Sequence, residues 1–157
     1  MRRRTKMKRR EFLCTMVAVA ALSVTGTALA AGESMVVYKD PNCGCCHAWA
    51  DALAEAGFSV KTEDVADIDV VKDRYNVPAD LRGCHTAVVA GYYLEGHVPL
   101  QAVTRLLAEK PDLAGLSVPG MPVGSLGMGD SPSASYDVMS VGRDGIRTLY
   151  QAVRPKI

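Results

Sequence analysis

Two kinds of apolar pattern divide the chain. From Phe12 to Leu29, apolar and small residues run on without a charge. After Ala31 the apolar positions break into short runs with strand or helix spacing. Met35-Val36-Val37-Tyr38 is a β-prone run and predicts a first strand, and Asp40-Pro41-Asn42 predicts the turn after it. A helix is expected from Cys45 or Cys46 to Ala56, because Trp49, Leu53 and Ala56 recur at spacings of four and three. Gly57 supplies its stop. Phe58 to Thr62 alternates apolar and polar and predicts a second strand. Asp67 or Asp69 is expected to cap a short helix through Tyr75, which must end before Val77-Pro78. Thr86–Ala90 and Tyr92–Glu95 predict a hairpin about Gly91. Pro99 opens a helix with Leu100, Val103, Leu106 and Leu107 on its apolar face, and Pro111 closes it. Residues 111–135 contain five Gly and four Pro and show no periodicity, so a long loop with a job is expected there. Tyr136–Val141 and Ile146–Tyr150 predict a final hairpin about Gly142-Arg143-Asp144-Gly145. No internal repeat is evident.

The uninterrupted run near the start is an address rather than part of the fold. Arg2, Arg3, Arg4, Lys6, Lys8, Arg9 and Arg10 precede it, and Ala28-Leu29-Ala30 fits a small-x-small cleavage site. Residues 1–30 are therefore expected to be a signal peptide, cleaved near Ala30, and residues 31–157 the mature domain in the periplasm. Arg9-Arg10-Glu11-Phe12-Leu13 resembles a twin-arginine export motif, although Lys8 stands where that motif prefers Ser or Thr; the general secretory route is the alternative. An uncleaved anchor is the competing reading of the apolar run. No Cys follows the cleavage site, so a lipoprotein is not indicated, and no later segment is apolar enough to cross a membrane.

Removing the leader changes the charge picture. The whole chain has 18 basic and 17 acidic residues, a net charge of +1. Seven bases but one acid lie in residues 1–30, so the remainder carries 11 bases against 16 acids, near −5. An acidic domain with two Phe in the whole chain and no basic stripe is not built for nucleic acid. No membrane contact is expected once the signal is removed. Mild acidity suits a cation-handling protein, and ordinary solubility explains it equally well.

The chemistry is in the cysteines. Cys14 leaves with the signal; Cys43, Cys45, Cys46 and Cys84 remain, with His47, His85 and His97. Cys43-Gly44-Cys45-Cys46 packs three thiols into four residues where a helix should begin. Unpaired N–H groups at a helix N-terminus favour thiolate, the form that binds metal or attacks a disulfide. Thiolates select soft ions, and the crowding suits bridging sulfurs between several copper(I) ions better than one tetrahedral zinc. Structural disulfides are the bland alternative in an oxidising compartment. A vicinal Cys45–Cys46 bridge would be strained, and the other pairings look awkward, so disulfides are not the expectation.

The element order β-α-β-α-β-β-α, with Cys43-x-x-Cys46 in the first βα turn, is the thioredoxin arrangement. The expected class is α/β: a thioredoxin-like mixed sheet flanked by helices, with a long Gly/Pro loop and a C-terminal hairpin. Cys84-His85 falls just before the third strand, where such folds place a cis-proline facing the active thiols. Cys84-His85 is therefore expected to face Cys43 and Cys46. Trp49, Tyr92 and Tyr93 read as packing residues.

The mature chain resembles the thioredoxin-like periplasmic metal-binding family, formerly of unknown function, that includes the copper-resistance protein CopG. The resemblance is carried by Val37-Tyr38-Lys39, Cys43-Gly44-Cys45-Cys46, Trp49, Gly57-Phe58, Val77-Pro78, Leu81 and Cys84-His85-Thr86-Ala87. It continues through Gly91-Tyr92, Glu95-Gly96-His97-Val98-Pro99, Gly115-Leu116, Val118-Pro119-Gly120-Met121-Pro122, Gly124-Ser125, Gly127-Met128 and Tyr136-Asp137-Val138. It implies copper handling with the two cysteine motifs as ligands; His47 is outside the pattern.

The expected metal ligands are Cys43, Cys45, Cys46, Cys84 and His85, with His97, Met121 and Met128 as weaker candidates. His97 reads equally well as a structural histidine, and a Met anchoring a loop is commoner than a Met ligand. His47 reads as exposed. The expected function is periplasmic copper(I) binding for resistance or trafficking, with copper redox activity as an extension. Its partners would be copper ions and other periplasmic copper-resistance proteins. The alternatives are a thiol–disulfide oxidoreductase using Cys43 and Cys46, and a structural zinc domain.

Overall fold

A computed structural model describes residues 32–155. The expected signal peptide lies outside the described residues. Seven strands form one mixed sheet in the order β2-β1-β3-β4-β5-β6-β7. The first unit is parallel: β1 (Ser34–Lys39) runs through helix α1 (Gly44–Glu55) to β2 (Ser59–Asp64). Helix α2 (Ile68–Arg74) follows, capped by the Asp67 carboxylate, which accepts from Asp69 N–H. A 3₁₀ turn at Ala79–Leu81 then leads to the antiparallel hairpin β3 (His85–Val89) and β4 (Tyr92–Gly96). Helix α3 (Leu100–Glu109) starts after Pro99 and carries the chain to the last three strands, β5 (Gly115–Val118), β6 (Tyr136–Val141) and β7 (Arg147–Val153). The mixed α/β class, the long loop and the C-terminal hairpin match the expectation. Among the described residues no helix is long and apolar enough to cross a membrane.

One element corrects the sequence reading. Residues 111–135 are not all loop, because Gly115–Val118 forms β5, parallel to β4 and antiparallel to β6. Four residues are too few to show a period, and all four are buried. Gly115 is required there: a Cβ would sit 2.3 Å from Tyr93 O. The loop proper is residues 119–135.

Strand alternation sorts the core onto two faces. Met35, Val37, Leu94, Leu116 and Val118 pack with Trp49 and Leu53 of α1 and with Val103 and Leu106 of α3. Tyr93, next to Leu94 but pointing the other way, packs with Val77, Leu81 and Val141. The same alternation separates His85 from Thr86 at the start of β3. His85 lies against Trp49, whereas Thr86 meets Lys72 and Glu95 on the opposite face.

Candidate metal centre

The centre sits where β1 ends, α1 begins and β3 starts. Cys43 is the N-cap of α1, with backbone in the extended region, and Cys45 and Cys46 lie in the first turn. Gly44 meets nothing within 4 Å of where a Cβ would be, so the turn is open to solvent on that side. Cys84 is the residue before β3, and β3 pairs antiparallel with β1 so that His85 stands beside Lys39. That register carries Cys84 to the mouth of α1.

The sulfurs converge as expected. Cys45 Sγ is 3.7 Å from Cys43 Sγ and 4.0 Å from Cys84 Sγ, and Cys46 Sγ lies 3.7 Å from Cys84 O. All four sulfurs lie within 4.8 Å of one another. One expectation fails. Cys43 and Cys46 are joined as a disulfide, with Cα atoms 5.4 Å apart. The helical turn brings residues three apart within the ordinary span for a bridge, so this pairing is not awkward. Cys45 and Cys84 are free thiols.

Cys84 belongs to a second group, with His85 and His97. Its Sγ is 3.4 Å from His85 Nδ1 and 3.1 Å from His97 Nε2. His97, at the end of β4, is fully buried, and its Nδ1 is 2.6 Å from Leu126 O. A carbonyl only accepts, so His97 Nδ1 carries the proton and Nε2 turns a lone pair toward Cys84. That second partner fixes the tautomer a metal ligand needs. His85 is also fully buried, its ring tilted against Trp49 with centroids 4.4 Å apart, and its Nε2 has no hydrogen-bond partner among the described residues. An orphaned nitrogen in a dry site is costly unless something fills the gap. Trp49 is held in turn by Nε1–H donating to Val98 O at 2.9 Å.

Burial opposes charge on all three members of this second group. The Cys84 thiol is pushed up to about 12, first by desolvation and then by the neighbouring Cys45. Desolvation, then His97, pushes the His85 imidazolium down to about 3, and desolvation lowers His97 as well. A bound cation would favour the Cys84 thiolate against this burial, whereas the imidazoles already stand in the neutral form that a metal takes.

The Gly/Pro loop lies over the site, which sequence alone did not indicate. Gly127, at a φ of +85°, presses so close to α1 that a Cβ would come 2.8 Å from Trp49 N and 2.9 Å from Cys45 O. Leu126 supplies the carbonyl for His97. Met128, the residue after Gly127, is half-buried, whereas Met121 is 42% exposed. His47 is exposed, away from the ligands, as expected. The residues missed by sequence reasoning are the loop backbone at Leu126 and Gly127 and the buried Lys72–Glu95 pair beneath Cys84. Only the Gly/Pro density of the loop signalled a role.

The donor set is soft: two free thiols, four sulfurs once the bridge is reduced, backed by two imidazoles, the chemistry that copper(I) prefers and zinc accepts. A family profile described as "Protein of unknown function, DUF411" matches residues 81–128, the stretch from Leu81 to Met128 that holds Cys84, His85 and His97. Two solved structures match nearly the whole described chain. "Copper resistance protein copG- Form 1" is 39% identical, with a TM-score of 0.74, over 80% of this chain and 99% of that one. "Copper resistance protein copG- Form 2" has the same identity and score over 78% and 98%. No curated protein sequence matches the chain. With that identity sustained over the full length of the solved structures, and with the cysteines gathered at one site, this chain belongs to the family of the copper resistance protein CopG.

Proposed function

We propose that this chain is an exported periplasmic protein that binds copper(I) for copper resistance or trafficking. The observation that carries this reading is the approach of Cys84 Sγ to 4.0 Å from Cys45 Sγ, across 39 residues of sequence. Two distant segments thereby offer soft donors to shared ions. Cys43, Cys45, Cys46 and Cys84 are the bridging ligands, with His85 and His97 completing the inner side. Met121 and Met128, on the covering loop, are the candidate thioethers for passing copper on. The export signal expected in residues 1–30, and the naming of the matched structures for copper resistance, support the periplasmic setting.

The Cys43–Cys46 bridge makes the capacity of the site depend on its redox state. Reduced, the site offers four sulfurs; oxidised, it offers Cys45 and Cys84 as thiols. The bridge also extends the reading to copper redox chemistry. Two copper(II) ions take one electron each while the Cys43 and Cys46 thiols lose two protons and form one S–S bond; a thiol reductant reverses the bridge. Anaerobic copper(I) titration with metal analysis tests the reading. The reduced protein is expected to bind more than one copper(I) per chain, and the bridged protein fewer. One copper(I) or none in the reduced state, unchanged by Cys84→Ser, would count decisively against it.

A second reading, a thiol–disulfide oxidoreductase using Cys43 and Cys46, is favoured by one observation: the bridge itself. Vigorous insulin reduction by metal-free protein would reverse the ranking. The free thiol of Cys45, at 3.7 Å from Cys43 Sγ, and that of Cys84 at the mouth invite scrambling and weigh against it.

A further inference from the structure

On the sheet face opposite Trp49 lies a charged group that the metal ligands do not explain. Lys72 of α2 and Glu95 of β4 are 1% and 0% exposed and form an ion pair. Lys72 Nζ also donates to Thr86 Oγ1 at 3.2 Å, and Thr86 Oγ1 donates to Glu95 Oε2 at 2.7 Å. Glu95 Oε1 has a further donor, the backbone N–H of Gly83, at 2.6 Å. The members satisfy one another, so the pair tolerates burial. A buried ion pair is nonetheless weak ground for stability, because well-packed apolar replacements are often neutral or better. What this pair does is grip the residue before Cys84. The backbone there has no slack. A Cβ on Gly83 would lie 2.8 Å from Gly96 Cα, and one on Gly96 would lie 2.7 Å from Val118 O. The segment ahead of Cys84 is thus pressed onto the end of β4, which is itself pressed onto the end of β5. Thr86 and Glu95 are cross-strand partners, which sets the carboxylate at the height of the Gly83 amide.

We propose that Glu95 is a positioning residue for the Cys84 sulfur. With Lys72 and Thr86 holding its carboxylate, it fixes the Gly83 amide and so keeps Cys84 Sγ within reach of both Cys45 Sγ and His97 Nε2. Glu95 touches no ligand atom; it acts through one backbone hydrogen bond. Its part in metal binding rests on the copper(I) role proposed above, whereas its effect on the sulfur position does not.

Two double variants separate the grip from the charge. K72M/E95Q removes both charges but keeps a side-chain carbonyl for the Gly83 N–H. K72M/E95L removes the acceptor too. In the metal-free exported chain with the Cys43–Cys46 bridge intact, a bifunctional thiol reagent that fluoresces only on bridging two thiols reports the Cys45–Cys84 approach without copper. Copper(I) affinity is then read by competition with a chelator, and folding by the melting temperature. K72M/E95L is expected to melt like the wild type yet to bridge, and to bind copper(I), about ten-fold less well, the scale of losing a supporting partner at a metal site. K72M/E95Q is expected to stay within about threefold of wild type on both readouts, the scale of one neutral hydrogen bond. A folded K72M/E95L variant that bridges and binds like wild type overturns the proposal. Equal losses in both variants also overturn it, since they would assign the effect to charge. If K72M/E95L does not fold, Thr86→Val replaces it: bridging slowed about threefold supports the role, and an unchanged rate refutes it. Wild-type protein that bridges readily but takes no copper(I) would sink the proposed function and leave the positioning role to the bridging rates.

Discussion

The two halves of the centre are built in opposite ways. The α1 half takes three cysteines from four consecutive residues, places Cys43 and Cys45 part-exposed, and is shaped by one helical turn. The strand half takes Cys84, His85 and His97 from the starts and ends of β3 and β4, buries both imidazoles, and is shaped by contacts from far along the chain. Trp49 supports His85, Leu126 O orients His97, and Glu95 holds the amide before Cys84. The first half can change its chemistry, between bridge and dithiol. The second is held by partners remote in sequence. A site assembled this way gains a variable sulfur supply against a fixed wall, and Cys84 is the hinge atom common to both ligand groups.

The largest effect should come from removing that shared atom. Cys84→Ser is expected to lower copper(I) affinity by more than the roughly 100-fold that loss of an outer partner costs, and to lower saturation by at least one ion. Chelator competition and metal analysis check it. If Cys84→Ser binds like wild type, the α1 half works alone and the contrast between halves loses its functional meaning.

The fixed half should also show itself through pH. Burial holds the His85 imidazolium down to about 3, whereas in the unfolded chain it forms near pH 6.5. Between those values the unfolded chain binds more protons, so stability is lost as pH falls from about 6.5 toward about 3. At pH 5 the loss from His85 alone is about 2 kcal/mol, an upper figure that urea unfolding of metal-free protein at pH 7 and pH 5 can measure. His85→Gln should flatten the difference; an unflattened curve would mean His85 is not what makes the strand half pH-sensitive.

A smaller effect is expected at His97. Its Nδ1–H is already committed to Leu126 O, so His97→Gln should cost about ten-fold in copper(I) affinity while leaving the Cys43–Cys46 bridge and its reduction unaltered. An equal change in bridge reduction would show that the halves are coupled more tightly than their separate supports imply. The smallest effect is at His47. It is exposed on α1 and belongs to neither ligand group, so His47→Ala should change affinity by less than about twofold, within the scale of an ordinary surface substitution.

The same contrast governs which features are legible in the amino-acid sequence. The α1 half is legible because its information is local: Cys43-Gly44-Cys45-Cys46 after a strand and before Trp49 and Leu53 states its own position at a helix start. The pairing of Cys43 with Cys46 is misread because spacing alone conceals how far a helical turn closes the Cα distance. In the strand half, the placing of Cys84 opposite the thiols is legible only through the element order. The commitment of His97 is not, because its partner is a backbone carbonyl 29 residues away, and carbonyls leave no mark in a sequence. β5 escapes for a related reason: four buried residues carry no period, and only pairing with Tyr93 on one side and Met139 on the other makes them a strand.

By itself, then, the sequence determined the element order as far as α3 and the C-terminal hairpin, the core-facing sides of α1 and α3, and the soft chemistry of the cysteines, all of which follow from local spacing and side-chain type. The tertiary structure alone decided which nitrogen of His97 is free, that His85 Nε2 lacks a partner among the described residues, that the Gly/Pro loop covers α1, and that a buried carboxylate grips the chain ahead of Cys84. Those are facts of distance between residues remote in sequence, set by strand register and by close packing around glycines, and no local pattern encodes them.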